Sequence, residues 1–223
     1  MKTLLSWSGG KDSSLALNAI SKMEDVEIAG LLTTVTADYD RISMHGVRRS
    51  LLRQQALSAG LPLFEVPIPK NATNDVYERE IKVALIKLKK ELGISTVVFG
   101  DLFLEDIREY REKLLSGPGL NCLFPLWRRD TRELAEYFIT SGFRAVLCTI
   151  DPKKLDSSFC GREFDRSFLT EIPENVDPCG ENGEFHTFVF DGPVFQQPIG
   201  IKIGEVVERE GFYFADLLPL EKS

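Results

Sequence analysis

Six consecutive residues near the start of the chain combine the groups that proteins use to bind phosphate. Paired glycines carry no β-carbon that would hold phosphate oxygens away from the backbone, and the first N–H groups of a helix have no intrahelical partner. A lysine adds a positive charge, and two serines add hydroxyl donors. This composition predicts a phosphate site; a glycine turn that only caps a helix is the alternative. The six residues are Ser8, Gly9, Gly10, Lys11, Asp12 and Ser13.

The elements around this segment have the order that positions a phosphate loop. An apolar run at residues 3–7 precedes it, and a helical pattern with Leu15, Ala16 and Ile20 on one face follows it. Strand-like runs at residues 3–6, 28–35, 63–67, 96–100 and 122–126 alternate with amphipathic stretches, the clearest at 74–92. This alternation predicts an α/β fold with a doubly wound, mainly parallel five-stranded sheet.

The loops after the strands are the next candidates, because ligands of such sheets bind beyond the carboxyl ends of the strands. The first strand ends at Ser6, and the second leads from Thr33 into a polar segment that contains His45. The fourth strand is followed by Gly100 and Asp101. We expect Ser6, Thr33 and Gly100 in a nucleoside pocket and His45 at the nucleotide or beside its reaction partner.

A second region begins near residue 128 and contains another polar loop. We expect residues 1–127 to form the nucleotide-binding domain and residues 128–223 a smaller α+β domain packed tightly on it. The loop at residues 177–187 holds Glu181, Glu184 and His186 together with two glycines. Such side chains can bind Mg2+, orient an amine or accept its proton. A polar hairpin turn is the alternative.

Composition limits the function classes. With 43% hydrophobic and 27% charged residues, the 223-residue chain has the composition of a globular protein. Its net charge of -7 disfavours nucleic acid as a partner. The four cysteines form no Cys-x-x-Cys pair, which disfavours a zinc site, and free thiols suit a reducing compartment. No apolar stretch approaches the roughly 20 residues that span a bilayer, so we expect no membrane association and place the protein in the cytoplasm.

The phosphate segment resembles the Ser-Gly-Gly-x-Asp-Ser signature of the PP-loop ATP pyrophosphatases and lacks the spacing of a Walker loop. The resemblance implies a sheet of the HUP type and cleavage of ATP between its α and β phosphates. Further matches extend over most of the chain, and together they are similar to the diphthine-ammonia ligases. They lie at residues 99–101, 110–112, 125–127 and 179–185.

That resemblance implies an AMP-forming amide ligase with ATP and Mg2+. A substrate carboxylate would form an acyl adenylate, and ammonia would displace AMP. The acceptor would be a protein such as an elongation factor, or a small molecule; a homodimer stays open. This chain departs from the family pattern Glu-Gly-Gly-Glu-aromatic-Glu at Asn182 and His186, which leaves the acceptor in doubt. A nucleotide sensor without ligase activity and a PP-loop enzyme acting on tRNA are the alternatives.

We assign expected roles by chemistry. Gly9, Gly10, Ser8 and Ser13 would hold the phosphates, and Lys11, at a polar loop edge, would offset charge on the α–β bridge. Asp12 and Asp101 are the candidate metal contacts. The candidate catalytic residues are Lys11, Asp12, Asp101, Glu181, Glu184 and His186.

Overall fold

Five parallel strands form the N-terminal sheet in a computed structural model that describes residues 1–36, 41–42 and 46–220. Their order is β4-β2-β1-β5-β6, and the two-residue β3 pairs antiparallel with the end of β2. Leu4 and Leu5 of β1 are fully buried, as the central strand of a sheet covered on both faces requires. The strands are β1 (Lys2–Ser6), β2 (Glu27–Thr36), β3 (Arg41–Ile42), β4 (Leu63–Ile68), β5 (Thr96–Val98) and β6 (Asn121–Leu123).

Four helices accompany this sheet: α1 (Lys11–Ile20), α2 (Arg49–Ala59), α3 (Asn74–Leu92) and α4 (Glu105–Ser116). Helix α3 confirms the helix predicted at 74–92. It begins after Thr73, whose hydroxyl accepts a hydrogen bond from the Val76 N–H at 3.4 Å, and it ends at Gly93 in a left-handed conformation. No helix in the described part of the chain is long and apolar enough to cross a membrane.

The predicted ends of two strands were wrong. Strand β5 ends at Val98, and Gly100 then packs against the start of α1, where a β-carbon on it would lie 2.8 Å from the Asp12 backbone. Strand β6 ends at Leu123, because residues 124–127 form a turn in which the Trp127 N–H donates to the Phe124 carbonyl at 3.2 Å.

The C-terminal sheet is antiparallel, with strand order β8-β7-β10-β9. Helices α5 (Thr131–Thr140) and α6 (Arg166–Glu171) accompany it, and Phe138, Phe164 and Phe168 are buried in contact with one another or with neighbouring rings. This confirms the predicted α+β character of the region. The strands are β7 (Arg144–Ile150), β8 (Phe185–Asp191), β9 (Ile201–Arg209) and β10 (Phe212–Pro219).

The fully buried amide of Gln55 joins the two sheets at the phosphate loop. Its Nε2 donates to the Gly9 carbonyl at 3.0 Å and to the Val189 carbonyl at 2.6 Å. Its Oε1 accepts from the indole of Trp7 at 3.0 Å, and the Val189 N–H donates to the Gly9 carbonyl at 2.9 Å. Gly9 has φ +77°, and a β-carbon there would lie 2.6 Å from Gln55 Oε1. Strand β8 therefore packs directly on the phosphate loop.

Candidate active site

The phosphate loop runs from the end of β1 into α1, as predicted. Gly10 is the N-cap of α1, and its N–H donates to the Ser8 hydroxyl at 3.2 Å. The Lys11 N–H donates to the Thr187 hydroxyl of β8 at 3.0 Å, and the Ser13 hydroxyl donates to the Gly10 carbonyl at 2.9 Å. Sequence reasoning missed Thr187, because only the fold brings β8 to this helix end.

Lys11 does not lie at an exposed loop edge, and that expectation was wrong. Its side chain is 3% exposed, and its Nζ donates to both carboxylate oxygens of Asp12 at 2.9 Å and to the Cys179 carbonyl. Although burial alone would lower it, the pKa of Lys11 is raised by the charge of Asp12. Lys11 is thus a charged, internally bound group that connects the phosphate loop to the loop before β8.

Acidic side chains from three segments surround this lysine. Burial raises the pKa of Asp12, an effect that the charge of Lys11 opposes. Burial also raises the pKa of Glu181 to about 7, although Glu181 Oε1 accepts a hydrogen bond from the Leu102 N–H at 2.8 Å. The charges of Asp12 and Asp101 act in the same direction on Glu181. The structure thus brings the predicted residues Lys11, Asp12, Asp101 and Glu181 into one electrostatic cluster.

Asp177 is a second residue that sequence reasoning missed. Its Oδ1 accepts from the N–H groups of Cys179 and Glu181 at 2.9 and 3.1 Å, and its Oδ2 accepts from the Thr131 hydroxyl at 2.7 Å. Asp177 therefore shapes the backbone that presents Glu181. The hydrogen bond from the Cys179 N–H to Asp177 forms an Asx turn, and the sequence signal for it is an aspartate followed by a proline, Asp177-Pro178.

Gly100 and Asp101 lie where predicted, after β5, but Gly100 approaches the protein itself. A β-carbon on Gly100 would lie 2.8 Å from the backbone carbon of Asp12. Asp101 Oδ2 faces Arg111 Nε of α4 at 3.6 Å, and neither atom has a hydrogen-bond partner. The close approach that Gly100 permits therefore brings Asp101 next to the phosphate loop.

A cavity of about 700 Å³ opens beside this cluster, between the parallel sheet and helices α3 and α4. Ser6, Ser8 and Thr33 line it, as does His186. Burial lowers the pKa of His186 to about 4, so the imidazole is neutral near pH 7. A second cavity of about 600 Å³, between α2 and residues 197–200, has no ionisable side chain in its lining. The first cavity is therefore the candidate site; His45 lies outside the described residues.

Glu184 lies apart from the cavity lining, in the interior of its own loop. It is 3% exposed, and its Oε1 accepts from the Asp177 N–H at 3.0 Å and from the side chain of Asn182 at 3.1 Å. Asn182 needs no glycine-like conformation, since its φ is negative. The departure from the family pattern at Asn182 thus adds a hydrogen bond to the loop.

The part of the chain that the structure describes contains no group of three or more His, Cys, Asp or Glu side chains that could hold a metal ion. Asp12 has both oxygens on Lys11. Asp101 keeps an oxygen without a hydrogen bond. Of the two predicted metal contacts, Asp101 therefore suits a Mg2+ ion held by one carboxylate together with substrate oxygens, an arrangement that this ion commonly has.

Comparison with known proteins identifies the family of this chain. Residues 1–122 match the model of the diphthamide synthase N-terminal domain, and residues 130–218 match that of the C-terminal domain. A diphthine–ammonia ligase of Danio rerio is 30% identical, over 93% of this chain and 89% of that relative. One of Schizosaccharomyces pombe is 28% identical, and this chain spans only 37% of its length. With both domain models matched and a relative aligned over nearly its whole length, the chain belongs to the diphthamide synthase family.

Proposed function

We propose that this protein is an ATP-dependent amide ligase that adenylates a substrate carboxylate and transfers the acyl group to ammonia, with release of AMP and pyrophosphate. The observation that carries the proposal is that the N-terminal and the C-terminal region both contribute side chains to one charged cluster. Lys11 of the phosphate loop binds Asp12 and the Cys179 carbonyl, and Glu181 of the C-terminal loop binds the backbone at Leu102. This cluster borders the cavity at the carboxyl ends of parallel strands, where nucleotides bind in such folds.

The position of each residue at the cavity or in the phosphate loop suggests its role. Ser6 and Thr33 line the cavity and would contact the nucleoside part of ATP. The phosphate loop would hold the pyrophosphate part through Ser8, Gly9, Gly10 and Ser13. Lys11 keeps the loop in register by binding Asp12, and the Asp101 oxygen that accepts no hydrogen bond suits the Mg2+ that accompanies ATP. Bound Mg2+ would neutralise phosphate charge as the α–β bond breaks.

The second half of the reaction needs a base, and Glu181 suits it. As the ammonia nitrogen attacks the acyl carbon and AMP departs, the nitrogen loses a proton. A carboxylate with a pKa of about 7 accepts that proton near neutral pH and releases it again between turnovers. His186, neutral and at the cavity wall, would contact the acyl part of the substrate.

The acceptor is inferred from the relatives. The relatives from Danio rerio and Schizosaccharomyces pombe are named diphthine–ammonia ligases, so diphthine on an elongation factor is the first acceptor to test. Ammonium supplies the amine.

Product analysis tests the proposal. The protein is incubated with ATP, Mg2+, ammonium and an elongation factor that carries diphthine, and the nucleotides are separated by chromatography. We expect AMP and pyrophosphate to form in proportion to the amide. ADP as the only product would refute the assignment.

The base assignment has its own control. Glu181→Gln should slow amide formation by about 10²–10⁴-fold, the usual contribution of general-base catalysis, and should remove the rise in rate near pH 7. Glu171→Gln changes an exposed carboxylate of α6 that pairs with Arg162 and should leave the rate unchanged. Equal rates and pH profiles for wild type and Glu181→Gln would exclude Glu181 as the base.

A further inference from the structure

The candidate cavity has an unusual distribution of charge. Of the described residues that line it, Arg111 is the one side chain with a permanent positive charge, and the lining contains no carboxylate. Lys11 does not line the cavity, and its Nζ is committed to Asp12 and the Cys179 carbonyl. His186 is neutral near pH 7. A polyanionic nucleotide in this cavity would therefore meet Arg111 as its protein-borne counter-charge.

Arg111 is bound loosely in the structure. Its Nε lies 3.6 Å from Asp101 Oδ2, which is beyond hydrogen-bond distance, and both atoms are buried without a hydrogen-bond partner. The guanidinium carbon lies 4.9 Å from the ring centre of Phe99, which also lines the cavity. The guanidinium thus lies over the Phe99 ring while its Nε donor stays unused.

An arginine in this state suits an oxyanion. Guanidinium stays charged at every physiological pH, and its rigid fork of donors matches two oxygens of a phosphate. Asp101, the present partner, meets the guanidinium at Nε only, and it does so beyond hydrogen-bond distance. A phosphate group that forms two hydrogen bonds of ordinary length can thus replace Asp101 as the partner of Arg111.

We propose that Arg111 binds the phosphate of the nucleotide in this cavity, exchanging Asp101 for phosphate oxygens while Phe99 holds the guanidinium plane. The inference deepens the proposed function, on which it rests for the nucleotide. It assigns to α4 a residue that tells a nucleotide from a nucleoside. No covalent step is involved.

Calorimetric titration of the whole protein with AMP and with adenosine tests this assignment, because the two ligands differ only in the phosphate. Arg111→Met should weaken AMP binding by roughly 10- to 100-fold, the range for hydrogen bonds to charged groups, and leave adenosine binding unchanged. Arg111→Lys, which keeps the charge but loses the fork, should fall between wild type and Arg111→Met. An equal loss for AMP and adenosine would show that Arg111 only shapes the pocket, and this would overturn the proposal.

Arg108→Met is the matched control. Arg108 lies one helical turn before Arg111 and stacks on Phe124 and Trp127 at 5.1 and 4.8 Å, but it does not line the cavity. This variant should bind AMP as wild type does. A loss like that of Arg111→Met would mean that the helix, and not the guanidinium of Arg111, is responsible.

Asp101→Asn gives an effect of opposite sign. Titrated with AMP in the absence of Mg2+, this variant should bind more tightly than wild type, because Asp101 no longer competes for Arg111. If the Asp101–Arg111 pair only stabilised the fold, Asp101→Asn would bind AMP more weakly than wild type. Weaker AMP binding would therefore overturn the proposal that phosphate replaces Asp101 as the partner of Arg111. Failure of the wild-type protein to bind either AMP or ATP would refute the proposed function itself. Wild-type binding with an unchanged Arg111→Met would refute only the role of Arg111.

Discussion

Replacing Lys11 by Met tests whether Lys11 is a buried structural lysine or an exposed lysine that binds phosphate. Methionine preserves most of the apolar stem but removes the ammonium group. Asp12 then loses two hydrogen bonds of 2.9 Å, and the Cys179 carbonyl loses its contact with Nζ. The Asp12 side chain is 31% exposed, so water compensates part of its loss.

The magnitude follows from these contacts. Breaking a fully buried ion pair costs about 3–5 kcal/mol, and the partial exposure of Asp12 moves the expectation to about 3 kcal/mol of unfolding free energy. For a chain of this length, that corresponds to a fall in Tm of roughly 6–12 °C. Adding Asp12→Asn to Lys11→Met should restore at least about 1 kcal/mol, because the uncompensated carboxylate is removed.

Urea unfolding followed by tryptophan fluorescence measures this, since Trp7 is buried beside the phosphate loop. Lys82→Met is the matched control: Lys82 pairs with Glu78 at 2.8 Å on the surface of α3, and its loss should cost less than about 1 kcal/mol. If Lys11→Met unfolds like Lys82→Met yet no longer binds ATP, the lysine charge is free for the nucleotide and the reasoning from burial fails.

Three further predictions concern stability. Burial raises the pKa of Glu181 to about 7, so the folded protein binds the proton of this carboxyl group more tightly than the unfolded chain does. The Tm should therefore fall as the pH rises from about 4.5 to 7. In Glu181→Gln the Tm should fall less steeply over the same range. Parallel slopes in melting scans would contradict this. Thr187→Val should cost about 1–3 kcal/mol by leaving the Lys11 N–H without its acceptor, and Thr187→Ser should cost less in urea unfolding. Gly100→Ala should cost about 1–3 kcal/mol, since the new β-carbon meets the Asp12 backbone at 2.8 Å; an unchanged unfolding midpoint would show that the loop can shift freely.

The elements that local pattern determines were predictable, and those that depend on distant partners were not. Helix α3 follows its apolar period from Asn74 to Leu92, and the phosphate loop follows from Gly9 and Gly10 between a strand and a helix. The positions of Lys11 and Glu184 did not follow in this way. A polar residue beside glycines suggests a side chain exposed to solvent. Lys11 is buried instead, because it contacts Cys179, which lies about 170 positions further along the chain. The assigned roles of the site residues, and the domain boundary at 127/128, stay predictions.

The fold and the site also differ in how far sequence reasoning reached. Alternating strands and helices predicted the parallel sheet, because the apolar periodicity that indicates each strand or helix is a local property of the sequence. The pairing of Asp101 with Arg111 depends on how α4 packs after β5, and the position of Asp101 beside the phosphate loop depends on the close approach of Gly100 to Asp12. Neither residue type nor spacing reveals such a contact.

The bridge made by Gln55 has a consequence for biosynthesis. Its amide spans Gly9 and Val189, residues separated by most of the chain. On the ribosome, where N-terminal segments emerge first, Gly9 and Gln55 are exposed long before β8 exists. The phosphate loop thus acquires its final set of hydrogen bonds only when the chain has been made as far as β8 (Phe185–Asp191). A nascent chain halted before β8 would contain every residue of the nucleotide-binding signature and still lack the support that holds the loop in shape.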